Sequence, residues 1–560
     1  MRRVFVLGMA LGLAMATLAS CSRGRDVSGL PVGDLDTIFS HGALNEYWLT
    51  MSPSDLYWLN HHELLEEYVP GNLSFVNFNR PSALYERGTL TGAVGAELYK
   101  NVGIRYKGSK GSLEFCFSNA TGNAGSNAYN KRLCKKLSLK ISFDKYDDEG
   151  RFYDMKKINL HGMMNDPSMM RECLAYGLYR RMGVPVPRCA HAKVFVNGEY
   201  QGLYAAVEYV DSRFLEFHFG EKEGVLFKEK WPGISEEANE AEYFLAGVRN
   251  RKSKTTKKDV KPILKFSQKI WDAQDLEEVG KLFQKHWNTD TVLNTLVVAS
   301  VIDDWDSFFT FFPKDPNREV GWARKPPKRF NHNFYIYQDM GEMLNLIQWD
   351  TDLTFSEYGS VLELFFGCPP WNVPLCEIGT RHCTPCIEYK PYNVSQGSPA
   401  DGMLPGACDK MLSYIGTEMK QDYLERMWYF LQEVFIVDEI EKVVKDWQAL
   451  LKDAHACDPN YPAGKGIFPD PGQNKTIPVL WEVEVESVLG TIRQEYKRAL
   501  ERSNPVYRPH VPDRKKIRKV FKCVKDCAAF MDLHDVKSLY TCYSICLFEV
   551  DPDSEDQHPY

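Results

Sequence analysis

The sequence predicts an α+β fold: a β-rich N-terminal lobe, a helical C-terminal lobe and a disulfide-rich C-terminal extension. Three observations predict it. Short runs at 102–106 and 137–143 alternate apolar and polar residues, as half-buried strands do. Long amphipathic stretches at 418–453 and 481–503 read as helices. Cys523, Cys527, Cys542 and Cys546 then form two pairs, each spaced to lie on one helix face.

The elements follow in chain order. Arg2 and Arg3, an apolar run and small residues before Cys21 give residues 1–20 the pattern of a signal peptide, too short to span a bilayer comfortably. Leu18-Ala19-Ser20-Cys21 also fits a lipobox, in which Cys21 is lipidated; ordinary cleavage near Ala19 is the alternative. Either way the expected location is extracytoplasmic, free or lipid-anchored, with no transmembrane span. Residues 22–34 are a leader, and 45–70 start the fold. The strand at 102–106 enters a glycine turn that contains Lys107. Asp166 is the expected N-cap and Pro167 the first residue of a helix that carries Glu172 and stops at Met182-Gly183. Asn197-Gly198 between apolar runs marks a β-hairpin. Residues 233–262 read as a charged, loop-rich insertion, and 291–302 as a buried helix. Residues 313–331 form a basic, Pro-containing loop, and short strands at 334–337 and 346–349 flank a turn at Gly341. Residues 357–410 are rich in Pro, Gly and Cys without period. These divide the chain into a leader (1–20), a main domain at 35–455 with lobes at about 35–210 and 211–455, a helical segment (456–504) and a cysteine hairpin (513–550).

Length and charge narrow the function. The 560 residues suffice for two to four domains. A net charge of −7 gives no general attraction to nucleic acid or anionic membranes. Fifteen cysteines less Cys21 leave fourteen, and export with an even number favours disulfides. Bridges Cys523–Cys546 and Cys527–Cys542 would staple the last two helices; zinc is the less favoured reading in an oxidising compartment. Cys383 and Cys386 read as structural bridges among neighbouring cysteines.

The chemistry gathers between 303 and 355. Asp303, Asp304 and Asp306, then Asn331 and Asn333, then Asp350 and Asp352 sit at the ends of apolar runs. Such hard oxygen ligands suit a divalent cation with nucleotide phosphates. Phosphoryl transfer needs a lysine on phosphate, a partner carboxylate, metal-binding groups and a base. Lys140 on a strand, Glu172 on the next helix, Asp306, Asn333 and Asp350 supply these in kinase order. The strings G-x-G-x-x-G, H-R-D and D-F-G are absent from the corresponding places. A catalytically silent binding protein, or a hydrolase or nucleotidyl transferase using the same acids, are the rival readings.

Several longer strings strengthen the kinase reading. Val102-Gly103-Ile104-Arg105-Tyr106-Lys107-Gly108, Lys136-Leu137-Ser138-Leu139-Lys140-Ile141 and Asn165-Asp166-Pro167-Ser168-Met169-Met170-Arg171-Glu172 come first. Gly183-Val184-Pro185-Val186-Pro187, the stretch from Val196 to Tyr204, and Leu226-Phe227-Lys228 follow. Trp305-Asp306, His332-Asn333-Phe334-Tyr335 and Gln348-Trp349-Asp350-Thr351-Asp352 complete the set. Over roughly 40–360 this order resembles the CotH kinase family. The resemblance implies a divergent two-lobe protein-kinase-like fold that binds ATP with Mg2+ or Mn2+. It also implies phosphorylation of Ser/Thr on secreted or surface proteins. It places the catalytic Asp on Asp306 and the metal-binding Asp on Asp350, with Asn333 and Asp352 in the matching motifs. Lys140, paired with Glu172, is the expected nucleotide lysine; Lys107 and Lys228 join the cofactor set, and Lys136 and Lys228 compete with Lys140 for that role. The chain departs from the family in its long basic loop between Asp306 and Asn333, in Gln348 before Trp349-Asp350, and in the cysteine-rich regions.

Overall fold

A computed structural model describes residues 37–503, apart from 63–66, 80–95, 109–116, 119–130, 133, 135, 252–253, 314–328, 356–408, 460–464 and 470–475. The leader with Cys21, most of the basic loop, Cys383 and Cys386, and the final cysteine hairpin lie outside these residues.

Seven strands close into a barrel. They are β1 (Asn45–Thr50), β2 (Val69–Val76), β3 (Ala96–Tyr106), β4 (Leu139–Ser142), β5 (Lys157–His161), β6 (Cys189–Val196) and β7 (Glu199–Glu208). The order is β1-β2-β3-β4-β5-β7-β6, and a parallel β6–β1 pairing completes the ring. The alternation read in the sequence explains the wall. Ile104 and Tyr106 on β3, Leu139 and Ile141 on β4, and Ile158 and Leu160 on β5 point into one core inside the barrel. On β7 the two faces divide: Tyr204 and Ala206 enter that core, whereas Leu203, Ala205 and Val207 join a second, larger core outside it. Hence β6 is buried along its whole length. The β6–β7 hairpin turns on Asn197 (φ 48°) and Gly198 (φ 86°), the doubly left-handed pair that an Asn-Gly turn supplies.

The outer core binds the helices to the barrel. Helix α1 (Pro53–Leu59) instead packs Leu56, Trp58 and Leu59 on the inner barrel core. Helix α2 (Arg171–Arg181) contributes Leu174, Tyr176 and Tyr179 to the outer core, so it packs with the helices that follow it. It begins five residues later than the expected N-cap: Asp166 accepts from the backbone of Ser168 and Arg171 and shapes the approach turn instead. Helices α3 (Ser212–Phe219), α4 (Lys261–Asp272), α5 (Leu276–His286) and α6 (Thr289–Ile302) follow. The expected insertion at 233–262 is tied in more closely than its charge suggests, for Ala238, Ala241, Phe244 and Val248 are buried.

A three-stranded antiparallel sheet, β8 (Val225–Lys228), β9 (Phe334–Gln338) and β10 (Leu344–Gln348), lies beside α6. Helix α7 (Lys410–Glu418) precedes the expected single helix at 418–453, which is two: α8 (Lys420–Tyr429) and α9 (Val437–Ala456). A π turn at Phe430–Val434 separates the last two, letting Phe430, Leu431, Val434 and Phe435 all turn inward. Helix α10 (Trp481–Ser503), expected in a separate segment, packs on α9, α8 and α6, and its Trp481 Nε1 donates to Ser168 O at 3.1 Å. Cys173–Cys189 is a disulfide joining α2 to β6, and Cys134 and Cys457 are also disulfide-bonded. No helix among the described residues is long and apolar enough to cross a membrane.

Candidate active site

Strand and helix ends converge on one cluster of charged side chains. In the three-stranded sheet Lys228 pairs with Tyr335 and Phe334 with Gln348. That register brings the end of β8, the start of β9 after Asn333 and the end of β10 before Asp350 to one edge. Helix α6 delivers the acidic loop: Asp303 is its C-cap in the left-handed region (φ 61°). Asn333 (φ 62°) and Asp350 (φ 60°) share that costly conformation, which Trp349 N to Asn333 O (3.2 Å) helps to hold. From the opposite side come Lys107 at the end of β3, Lys140 on β4, His161 at the end of β5 and Glu172 in the first turn of α2. Helix α2 also grips the Asp350 loop. Tyr176 OH accepts from Asp350 N at 2.9 Å, and Thr351 Oγ1 donates to Glu172 O at 3.3 Å.

The cluster is divided by charge. Burial, then Arg105, Lys107, Lys228 and Lys157, push the Lys140 ammonium well below its usual pKa. Lys140 Nζ lies 4.8 Å from the Tyr209 ring centre, and Lys107 Nζ 5.3 Å from that of Trp349. Lys228 reaches Glu229 at 3.2 Å. Burial alone would raise Asp350, but Lys107, His161, Lys228 and His332 outweigh it and hold the carboxyl below its ordinary range. Asp352 goes the other way: burial, then Asp350, Glu172 and Asp306, push it well above. Asp350 is thus the acid the site keeps ionised, and Asp352, which accepts from Asn165 at 3.2 Å, is the one it tends to protonate.

Asp306 is held from two sides. His332 Nε2 lies 2.5 Å from its Oδ1, and Asn333 Nδ2 donates to its Oδ2 at 2.9 Å and to its backbone oxygen at 2.7 Å. Burial lowers the His332 imidazole, but the bond to Asp306 and the charges of Asp306, Glu229 and Asp350 raise it overall. The Asn333 amide, expected on a metal, therefore spends its nitrogen on positioning Asp306.

One expected pairing, Lys140 with Glu172, is corrected. Glu172 bonds His161 Nδ1 at 2.7 and 2.9 Å, and no Glu172–Lys140 ion pair forms among the described residues. The imidazole at the end of β5 occupies the carboxylate, while Lys140 faces Tyr209. Lys136, the rival nucleotide lysine, is committed elsewhere: it is fully buried against Asp458 at 3.0 Å. His161 and His332 carry the geometry and were missed as single residues. A histidine at a strand end has no spacing signature, although His332 opens the string His332-Asn333-Phe334-Tyr335.

Asp304 is buried scaffold. Tyr179 OH donates to its Oδ2 at 2.5 Å and Gln348 Nε2 at 3.0 Å. Burial, opposed by the Tyr179 bond, pushes its carboxyl up from 3.8 to about 7. A folded-state pKa above the unfolded one gives stability that is present at low pH and lost as pH rises through about 7. Asp304→Asn removes this dependence, so the variant should gain on wild type by about 5 °C in Tm between pH 5 and pH 8. Thermal melts at the two pH values measure it, and a constant Tm gap contradicts it.

The family model described as "CotH kinase protein" matches residues 104–477 of the 560. This chain belongs to the CotH kinase protein family. The match starts later than the resemblance read over 40–360 and runs past it, through α9. The inner spore coat protein H of Bacillus subtilis (strain 168) is 35% identical over 81 residues, which is 14% of this chain and 22% of that protein. The inner spore coat protein H-like protein of the same organism is 30% identical over 74 residues, 13% of this chain and 22% of the relative. The aligned part of this CotH-family chain thus spans about a fifth of each relative.

Proposed function

We propose that this CotH-family chain is an exported, ATP-dependent protein kinase that phosphorylates Ser/Thr of secreted or surface proteins. The observation that carries the reading is the convergence of Lys107, Lys140 and Lys228 near Asp350, whose carboxyl Lys107 and Lys228 help to hold low. A nucleotide triphosphate with its divalent cation fits both halves: lysines for phosphate oxygens, carboxylates for metal. The barrel and the helical layer then act as the two lobes of a divergent kinase. Asp350, with Asp352 and the Asn333 side-chain carbonyl, would hold Mg2+ or Mn2+, which would neutralise phosphate charge when bound. Lys140, Lys107 and Lys228 bind the phosphates. Asp306, fixed by His332 and Asn333, orients the acceptor hydroxyl and takes its proton. The disulfides suit export, and the two spore-coat relatives suggest a coat or surface location, free or lipid-anchored at Cys21.

The test is purified full-length protein with Mn2+ or Mg2+, a generic acceptor, and ATP labelled at either the γ- or the α-phosphate. Transfer of the γ-label supports the kinase; transfer of AMP overturns it in favour of nucleotidyl transfer. Lys140→Met should lower kcat/KM about 10²-fold by removing one phosphate contact. Its Tm should not fall, because a cation crowded by like charges is lost. A full-activity Lys140→Met enzyme removes Lys140 from the nucleotide site.

A second reading, a catalytically inactive coat or surface protein on the same fold, draws on one observation: Glu172 is bound to His161 where the kinase layout expects a lysine. It is favoured if wild type and Asp350→Ala are equally inert with every metal and nucleotide tried.

A further inference from the structure

The His161–Glu172 pair has a feature that strand-to-helix fastening alone does not require. His161 is 5% exposed and Glu172 1%. The imidazole gives Nδ1 to Glu172, yet its Nε2 is buried without a hydrogen-bond partner. The neighbouring Trp349 ring stands perpendicular to it with centres 5.8 Å apart, and no N–H or O–H donates to Nε2. Leaving such a nitrogen unsatisfied in the interior is costly. One donor atom each from His161, Glu172 and Asp350 lies within 4.8 Å of the other two. These donors sit on β5, on α2 and on the loop after β10, so the fold itself assembles them.

We infer that His161 Nε2 joins Asp350 on the metal while Glu172 holds the imidazole, and that this mixed nitrogen–oxygen centre selects Mn2+ over Mg2+. The inference rests on the metal–nucleotide reading of this cluster and adds a ligand and a preference to it. Magnesium favours all-oxygen octahedral surroundings and keeps its waters, whereas imidazole is a ligand for first-row transition ions. The Asp350 carboxylate keeps the site hard enough for manganese, and the Glu172 charge behind the imidazole makes its open nitrogen a better ligand. An imidazole that donates one N–H to a carboxylate and leaves its other nitrogen free is also the arrangement in which metal-bound histidines are held. Glu172 thus takes a different part from the lysine partner expected of it, and Lys140 is released to face Tyr209 and the phosphates.

The experiment is pulsed electron paramagnetic resonance on full-length protein loaded with Mn2+ alone, which reads directly bonded nitrogen without relying on activity. Wild type should show a 14N coupling from one imidazole. The coupling should persist in His332→Gln and vanish in His161→Gln. Competition of Mg2+ against bound Mn2+ should show a preference for Mn2+ that falls about 10- to 100-fold in His161→Gln. Bound Mn2+ with no 14N coupling in wild type overturns the inference, as does a failure of wild type to bind Mn2+. Because the wild-type spectrum decides, misfolding of a variant does not leave the question open. The outcome is separable from the kinase reading. A 14N coupling without γ-phosphate transfer keeps the metal centre and removes the kinase. Transfer without the coupling keeps the kinase and removes His161 from the metal.

Discussion

Asp350→Ala should lower kcat/KM for γ-phosphate transfer at least about 10³-fold while leaving the chain folded. Three lines meet on this residue. Its carboxyl is held ionised by Lys107, His161, Lys228 and His332 against the penalty of burial. Its backbone is kept in the left-handed region, fastened to α2 through Tyr176. Its neighbour Asp352 is pushed up by burial and by the charge of Asp350, so Asp350 is the carboxylate that carries the negative charge here. Removing the carboxylate also leaves the surrounding cations facing one another, so nucleotide affinity should change with the rate. Asp306→Asn makes the contrast: the acceptor loses its base but the nucleotide keeps its metal, so kcat should fall with little change in ATP binding. Initial rates and ATP titrations on both variants, with circular dichroism to confirm folding, separate the roles. An active Asp350→Ala enzyme would sink the proposed mechanism.

Lys136→Met should destabilise the fold by about 3–5 kcal/mol, the cost of breaking a buried ion pair by removing one partner. Lys136 and Asp458 side chains are both fully buried at 3.0 Å, and burial lowers the Lys136 pKa against the pull of Asp458. The same Asp458 oxygen accepts from Leu203 N at 2.8 Å. At Gly202 the backbone has φ 116°, and a Cβ there would lie 2.2 Å from that carboxylate. The loop after α9 is therefore plugged into the barrel wall beside β7, where glycine alone makes room. Asp458→Asn should cost less than Lys136→Met, since a lysine left alone can shed its proton. The double variant should recover part of the loss, because neither partner remains as an uncompensated charge. Chemical denaturation of the four proteins gives the cycle, and strictly additive losses would refute the coupling.

Local patterns were legible wherever the chain's own period or turn chemistry decided the structure. The strand holding Lys140, the Asn197-Gly198 hairpin, the stop of α2 at Gly183 and the buried helix before Asp303 all read directly from the residues. The start of α2 did not, because Asp166 had two backbone donors within reach and used them in a turn before the helix. Nor did the break between α8 and α9, where apolar periodicity continues through a π turn that only buried packing of Phe430 and Phe435 demands.

Sequence order by itself determined the family, the strand and helix types, and the positions of Asp306 and Asp350 at element ends. Those features depend on neighbours in the chain, where spacing of two or 3.6 residues carries the information. Only the tertiary structure decided which charges face each other. It gave Glu172 to His161, sent Lys136 to Asp458 some three hundred residues away, turned Asn333 onto Asp306, and closed seven strands into a barrel through a parallel β6–β1 seam. Such pairings are set by burial and by competition among charges in a low-dielectric interior, and neither is written in the spacing of residues along the chain.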